Sequence, residues 1–264
     1  MPLWTWFGLK TGRATTTWPQ SGPDGQEGVF GLPRLDSTHC KPQCEDCVAS
    51  CPTAALYRDP PGIALDYGRC IACQICAEIC PTGALRTSAD WAFATRDRRE
   101  LIWQKTTQNN PPEHVIKTAT RRPLRKSLHI RHIDAGSCNG CESELSALDN
   151  PFYNLHRLGL FFTPSPRFAD LLLVTGPVTA AMREPLLTTF AAMPEPRLVL
   201  AAGTCAVSGA PVDGGYSGGH GLSGLVPVDI WLPGCPPNPA ALIHALLVLL
   251  ERMPQRVHGG HYEP

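Results

Sequence analysis

The run Cys70-Ile-Ala-Cys73-Gln-Ile-Cys76-Ala-Glu-Ile-Cys80-Pro81 sets four thiols at C-x2-C-x2-C-x3-C-P spacing and decides how the first half of the chain is read. An earlier run, Cys40-Lys-Pro-Gln-Cys44-Glu-Asp-Cys47-Val-Ala-Ser-Cys51-Pro52, has the same form with one extra residue after its first cysteine. Cys47 to Leu56 matches Cys76 to Leu85 at an offset of 29 residues, so the two runs read as a duplication inside one small unit. Between them Ile63, Leu65 and Tyr67 alternate behind the Pro60-Pro61-Gly62 turn, which predicts a short strand. This unit is placed at residues 33–88.

In runs of this spacing three cysteines wrap one cubane cluster, and the fourth, before proline, reaches the other cluster. By that rule Cys40, Cys44, Cys47 and Cys80 hold one [4Fe–4S] cluster, and Cys51, Cys70, Cys73 and Cys76 hold a second. Zinc ribbons use two separated cysteine pairs, whereas here three thiols crowd into one loop. Residues 1–19 lack the basic start, apolar core and cleavage site of a secretory signal, so the twelve cysteines are expected as metal ligands in a reducing compartment.

Net charge is zero, so no overall field draws the chain to nucleic acid or to an anionic membrane. No uncharged apolar run reaches the roughly 18 residues needed to span a bilayer. The 264 residues are enough for two domains. Residues 86–131 carry eleven Lys or Arg against four Asp or Glu and include Pro111-Pro112, which reads as a basic linker, placed at 89–126. Beyond it, short apolar runs at 128–133, 171–175, 197–201 and 228–232 alternate with helical patterns at 142–148, 180–193 and 240–252. That alternation predicts a parallel sheet covered on both faces, with ligands beyond the carboxyl ends of its strands.

The last four cysteines follow such ends: Cys138 and Cys141 in Gly136-Ser-Cys-Asn-Gly-Cys-Glu142, Cys205 in Gly203-Thr-Cys-Ala206, and Cys235 in Pro233-Gly-Cys-Pro-Pro-Asn238. Their thiolates are expected to converge on a third cluster, with neighbouring glycines letting amides approach its sulfurs. By spacing alone, one reactive or zinc-binding C-x-x-C with two unrelated core cysteines stands as the other reading.

These residues carry a family resemblance. Residues 127–252 resemble the small electron-transfer subunit shared by group 4 [NiFe] hydrogenases, formate hydrogenlyase included, and the NADH:quinone oxidoreductase of complex I. The matching pieces include Asp134 to Glu142, Asn150-Pro-Phe-Tyr153, Leu173-Val-Thr-Gly-Pro-Val178 and Leu232-Pro-Gly-Cys-Pro-Pro237. The resemblance implies that Cys138, Cys141, Cys205 and Cys235 hold the cluster facing a large catalytic subunit. The spaced Cys138 and Cys141 resemble the hydrogenase branch rather than the adjacent pair of complex I. Residues 1–105 resemble the two-cluster ferredoxin-like subunit of the same complexes, through the cysteines, Lys10 to Pro19 and Trp91 to Leu101. Two subunits that are usually separate thus look fused, which raises the effective concentration of each near the other.

The expected fold is an α+β two-cluster ferredoxin-like domain (33–88) followed by an α/β flavodoxin-like domain (127–254) with a mostly parallel sheet. Residues 1–32 are an N-terminal extension and 255–264 a C-terminal tail. The expected function is a relay through three [4Fe–4S] clusters to or from a large hydrogenase-type subunit. Membrane-arm subunits are further partners, and the expected location is cytoplasmic, peripheral on the inner face of the cell membrane. The chain holds no catalytic residue, dinucleotide loop or flavin motif of its own. The alternatives are delivery to quinone or ferredoxin, and, in a different class, a zinc-binding scaffold. Glu142 and Glu144 are read as complementing a helix dipole, His129 and His132 as structural, and Trp4, Trp6, Phe7 and Trp18 as anchors for a partner.

Overall fold

The computed structural model describes residues 2–12, 18–19, 28–60, 62–104, 124, 126–213 and 215–263. The first half has little regular structure: α1 (Leu3–Thr11), β1 (Arg34–Leu35), α2 (Asp46–Ala49), β2 (Leu56–Asp59), β3 (Gly62–Asp66), α3 (Ile75–Glu78), β4 (Leu85–Arg86) and β5 (Ile102–Trp103). The duplication is visible in the pairing. Each half contributes one short helix, α2 or α3, that begins just before or with the third cysteine of its run. The strand expected around Ile63 and Leu65 is β3, paired antiparallel with β2 on one side and β5 on the other. β1 pairs antiparallel with β4 and closes the unit.

The second half contains β6 (Leu128–Asp134), α4 (Gly140–Ser146), β7 (Leu160–Phe162), β8 (Leu171–Thr175), α5 (Ala180–Ala192), β9 (Leu198–Ala202), α6 (Thr204–Ser208), β10 (Ile230–Leu232) and α7 (Pro239–Leu249). Five strands form one sheet in the order β10-β9-β8-β6-β7, every neighbouring pair parallel. The chain leaves β6 to one side for β7 and returns to the other side for β8, so a crevice opens beyond the carboxyl ends of β6 and β8. Every residue of β8, β9 and β10 is buried, as expected for strands covered on both faces.

Side chains alternate across a strand, and here the alternation sorts them into two cores. Leu171, Leu173, Leu198, Leu200, Ile230 and Leu232 pack with α7, all eleven residues of which are buried. Asn238 caps that helix, accepting from the Ala241 amide at 2.8 Å, and Pro239 sits at its first turn, where no amide donor is needed. Leu172, Val174, Val199, Ala201 and Trp231 face the opposite way. They share one buried cluster with Leu56 and Leu65 of the ferredoxin-like part, with Phe93 and Leu101 of the segment that follows it, and with Leu186 of α5. The first half of the chain therefore takes part in covering one face of the sheet.

The stretch 89–126, whose charge reads as a basic linker, departs from that reading at its start: Ala92, Phe93, Ala94, Thr95 and Leu101 are buried. Thr95 pairs with Trp231 through two backbone hydrogen bonds of 3.0 and 2.8 Å, extending the sheet beyond β10. The basic residues here have fixed partners. Arg96 donates to the Val248 carbonyl at 2.8 Å, and Arg98 pairs with Asp66 at 2.6 Å. A charge count cannot distinguish a solvated arginine from a paired one. Most of the rest of the basic stretch lies outside the described residues.

The expected tail holds a hairpin, β11 (Val257–His258) with β12 (His261–Tyr262), laid against the segment that follows the ferredoxin-like part. The Tyr262 ring lies tilted against Phe93 with centroids 5.2 Å apart, and the Gly260 amide donates to the Glu100 carbonyl at 2.7 Å. No described helix is long and apolar enough to cross a membrane.

Candidate metal centres

Each half of the duplication ends its run with a cysteine before proline, and the two sites are built alike. The Ala55 amide points at Cys51 Sγ (3.3 Å) and the Leu85 amide at Cys80 Sγ (3.5 Å). Thr53 and Thr82 set their hydroxyls 3.8 and 3.7 Å from the same two sulfurs. Burial pushes both thiols up, but these donors outweigh it and hold Cys51 and Cys80 below the ordinary thiol value. Donors aimed at sulfur favour added negative charge there.

The eight cysteines of this part line two separate cavities. One cavity is lined by Cys40, Cys44, Cys47 and Cys80, and a second by Cys51, Cys70, Cys73 and Cys76. Burial, then the neighbouring Cys40, Cys44, Cys76 and Cys80 sulfurs, push Cys47 to about 11. Burial is also the first cause for Cys70, pushed up to about 12, and for Cys76, pushed to about 11. Thiols so crowded keep their protons unless a cationic group shares their charge, which is what an iron–sulfur core supplies. Among the described residues no three His, Cys, Asp or Glu side chains close on a single ion. Each of these two quartets lines a cavity, and soft thiol donors are the ligand type that iron–sulfur cores take.

The remaining four cysteines come from loops at the carboxyl ends of three strands. Cys138 and Cys141 lie between β6 and the first turn of α4, Cys205 lies in α6 after β9, and Cys235 follows β10. Their sulfurs sense one another: after burial and the Glu142 charge, Cys205, Cys235 and Cys138 all contribute to raising Cys141, and after burial Cys235 and Cys138 help push Cys205 to about 11. Gly203 makes this approach feasible. Its φ is +91°, and a Cβ there would lie 2.7 Å from Cys141 Sγ. Cys138 and Cys235 are exposed while Cys141 and Cys205 are partly covered, so the quartet opens to solvent on one side.

Glu142, read from sequence as a dipole partner, has fixed partners behind this quartet. It accepts from the Ser137 hydroxyl at 2.6 Å and closely from the Thr175 hydroxyl, whose oxygen lies 2.9 Å from His132 Nε2. Sequence reasoning did not find this chain, because Thr175 belongs to a strand more than thirty residues away. His132 is lowered, first by burial, and His129 sits exposed 3.4 Å from Asp170. Of the four aromatic anchors, Trp4, Trp6 and Phe7 are exposed on α1. Trp18 is buried against Tyr153 at 5.8 Å, and its carbonyl accepts from Arg157 at 2.8 Å.

Residues 39–87 match the family described as 4Fe-4S dicluster domain, and residues 138–249 match NADH ubiquinone oxidoreductase, 20 Kd subunit. The probable membrane-bound hydrogenase subunit mbhJ of Pyrococcus furiosus is 37% identical over 136 residues, which cover 52% of this chain and 81% of the relative. The chain belongs to the NADH ubiquinone oxidoreductase 20 Kd subunit family. Another member-like relative, formate hydrogenlyase subunit 7 of Escherichia coli, is 38% identical over 54% of this chain, and the match spans 56% of that relative's length. Among solved structures, a chain of the membrane-bound sulfane sulfur reductase, an archaeal respiratory membrane complex, aligns at 31% identity with a TM-score of 0.45. That alignment covers 53% of this chain and 78% of the other. Within the 20 Kd subunit family match fall all four sheet-edge cysteines, and the dicluster match takes in the other eight.

Proposed function

We propose that this chain is an electron-transfer subunit of a group 4 [NiFe] hydrogenase-type complex of the formate hydrogenlyase kind, with its twelve cysteines holding three [4Fe–4S] clusters. The observation that carries the proposal is the separation of the thiols into three quartets, two lining distinct cavities and one gathered at the carboxyl ends of β6, β9 and β10. When bound, such clusters supply one-electron chemistry. Cys40, Cys44, Cys47 and Cys80 hold the first, Cys51, Cys70, Cys73 and Cys76 the second, and Cys138, Cys141, Cys205 and Cys235 the third.

The chain's own residues supply the surroundings. Amides of Ala55, Ala72 and Leu85 donate to ligand sulfurs, and burial around Cys47, Cys70 and Cys76 keeps water away. The exposed Cys138 and Cys235 turn the third quartet toward a large catalytic subunit. The domain boundaries follow the same reading, with the ferredoxin-like unit at 33–88 and a flavodoxin-like α/β unit at 127–254. The latter is supported by a parallel sheet whose strands, counted along the chain, run 2-1-3-4-5. The assembly sits on the cytoplasmic face of the cell membrane through partner subunits.

The names of the two curated relatives favour a hydrogenase. A second reading has electrons pass to quinone or ferredoxin, and the description of the 20 Kd family, which names ubiquinone, favours its quinone form. Anaerobic iron and sulfide analysis with EPR of the reduced chain tests the cluster number, with about twelve of each expected. About eight of each would remove the third quartet. Hydrogen evolution by the complex purified through this subunit then separates the two readings, since a quinone- or ferredoxin-linked assembly makes none.

A further inference from the structure

Thr204 stands where the second and third quartets meet. It is the first residue of α6 and only 1% exposed. Its hydroxyl donates to the Cys70 carbonyl oxygen at 3.0 Å and accepts from the Gly234 amide at 3.1 Å. Its own amide donates to the Gly234 carbonyl at 2.9 Å. Cys70 belongs to the second quartet, whereas Thr204 and Gly234 directly precede Cys205 and Cys235 of the third.

A threonine near the start of a short helix ordinarily caps it or bonds back to its own turn. Ser208, in the same helix, does the latter by donating to the Thr204 carbonyl at 3.1 Å. Thr204 instead spends both its donor and an acceptor on segments far away in sequence, each next to a proposed ligand. The loops it ties together are tightly drawn. Gly203 and Gly234 both have positive φ, and a Cβ on Gly234 would lie 2.7 Å from Pro237 Cα.

We infer that Thr204, through its hydroxyl, couples the second and third quartets for electron exchange. It completes a continuous path of covalent and hydrogen bonds from the Cys70 sulfur to the Cys205 and Cys235 sulfurs. One electron leaves the reduced side and arrives at the oxidised side; all eight thiolates stay ligated and no proton moves. The inference rests on the three-cluster reading proposed above.

The test uses the full chain loaded with iron and sulfide, first counting clusters chemically. A photogenerated one-electron reductant then charges the protein, and the equilibration between quartets is followed by rapid-freeze EPR. Thr204→Val keeps the side chain's shape and removes the hydroxyl. The expected result is full cluster content, unchanged spin–spin splitting between the reduced centres and a several-fold slower equilibration, restored by Thr204→Ser. Wild-type speed in Thr204→Val overturns the inference while leaving the three-cluster reading intact. A changed splitting or a missing cluster in that variant overturns the coupling role in favour of a purely structural one. Should Thr204→Val not fold, hydrogen exchange of the unmutated chain decides: the Gly234 amide is expected among the slowly exchanging sites, and rapid exchange removes the bridge. Fewer than three clusters in the wild type defeats both the inference and the reading beneath it.

Discussion

In the ferredoxin-like part, eight cysteines fall between residues 40 and 80, and each quartet borrows its fourth thiol from the other half of a repeat. At the sheet edge, four cysteines spread from residue 138 to 235 meet only because three parallel strands end side by side. The first arrangement has almost no secondary structure of its own, and Cys47, Cys70 and Cys76 are themselves part of its buried cluster. The second is set on a sheet whose strands are buried among leucines, valines and alanines on both faces. The contrast implies that metal and fold depend on each other in the first region and are separable in the second.

The strongest way to break that comparison is to remove one thiol from each region. Cys47→Ala should cost both ferredoxin-type clusters, leaving about four iron per chain out of about twelve, because the two sites share one core. Cys205→Ala should leave about eight, with the sheet intact by circular dichroism. Equal losses from the two variants would mean that the regions depend on metal alike.

Acid provides a second contrast. Burial, then the Arg256 charge, push His244 of α7 down to about 4 from an ordinary 6.5. Its Nε2 lies 3.1 Å from the Pro254 carbonyl. As pH falls, the unfolded chain takes up this proton first, so folding stability is level above about 6.5 and declines toward 4. The loss amounts to roughly 3 kcal/mol. On the other side, the Thr38 hydroxyl and amide and His39 hold Asp36 at about 2, so it stays charged throughout this window. Denaturant unfolding between pH 7 and pH 4, within the span set by these pKa values, should show the decline in the wild type. His244→Gln should flatten it, and an unchanged slope in that variant would place the acid sensitivity elsewhere.

A smaller effect separates glycines by what surrounds them. Gly203→Ala forces a side chain into a positive-φ position and toward Cys141 Sγ, at a cost of about 1–3 kcal/mol. The third-quartet EPR signal should weaken while the ferredoxin signals persist. Gly62, at the start of β3, has no neighbour within 4 Å of an added Cβ, and Gly62→Ala should change stability by no more than about 0.5 kcal/mol. Comparable losses at the two glycines would show that the sheet edge tolerates crowding near its thiols.

How much of this was legible in the sequence follows the same division. The repeat carries its own register, so spacing alone assigns Cys80 to the first run and Cys51 to the second; in the structure Cys80 lines a cavity with Cys40, Cys44 and Cys47, and Cys51 lines one with Cys70, Cys73 and Cys76. The central strands of the sheet were legible because continuous Leu and Val runs announce burial on both sides; the expected 171–175 is β8 itself, and 197–201 lies one residue from β9. β7 was missed: three residues are too few for a period to show, and its place is set by pairing with β6. β2 was missed because Arg58 and Asp59 interrupt its apolar character, although both pair with β3. The 257–262 hairpin and the buried 91–95 segment escaped for another reason. Their backbones are held by partners distant in sequence, and a local pattern carries no trace of such contacts.

A further small effect concerns the join between the two regions. Arg69, the residue before Cys70, donates through Nε to the Thr53 carbonyl at 2.9 Å and pairs through Nη2 with Asp213 at 2.8 Å. It therefore links the loop after Cys51 to a loop of the sheet domain. Both side chains keep about a quarter of their surface in solvent, so screening limits the pair. A double-mutant cycle with Arg69→Met and Asp213→Asn should return a coupling of about 0.5–1 kcal/mol that shrinks as salt is raised. Arg69→Lys should recover only part of it, since lysine cannot serve both acceptors with one planar fork. Zero coupling would mean that the shared apolar cluster alone holds the regions together. A value well above 1 kcal/mol, insensitive to salt, would mean that the junction is drier than its exposure implies and that the two regions fold as one cooperative unit.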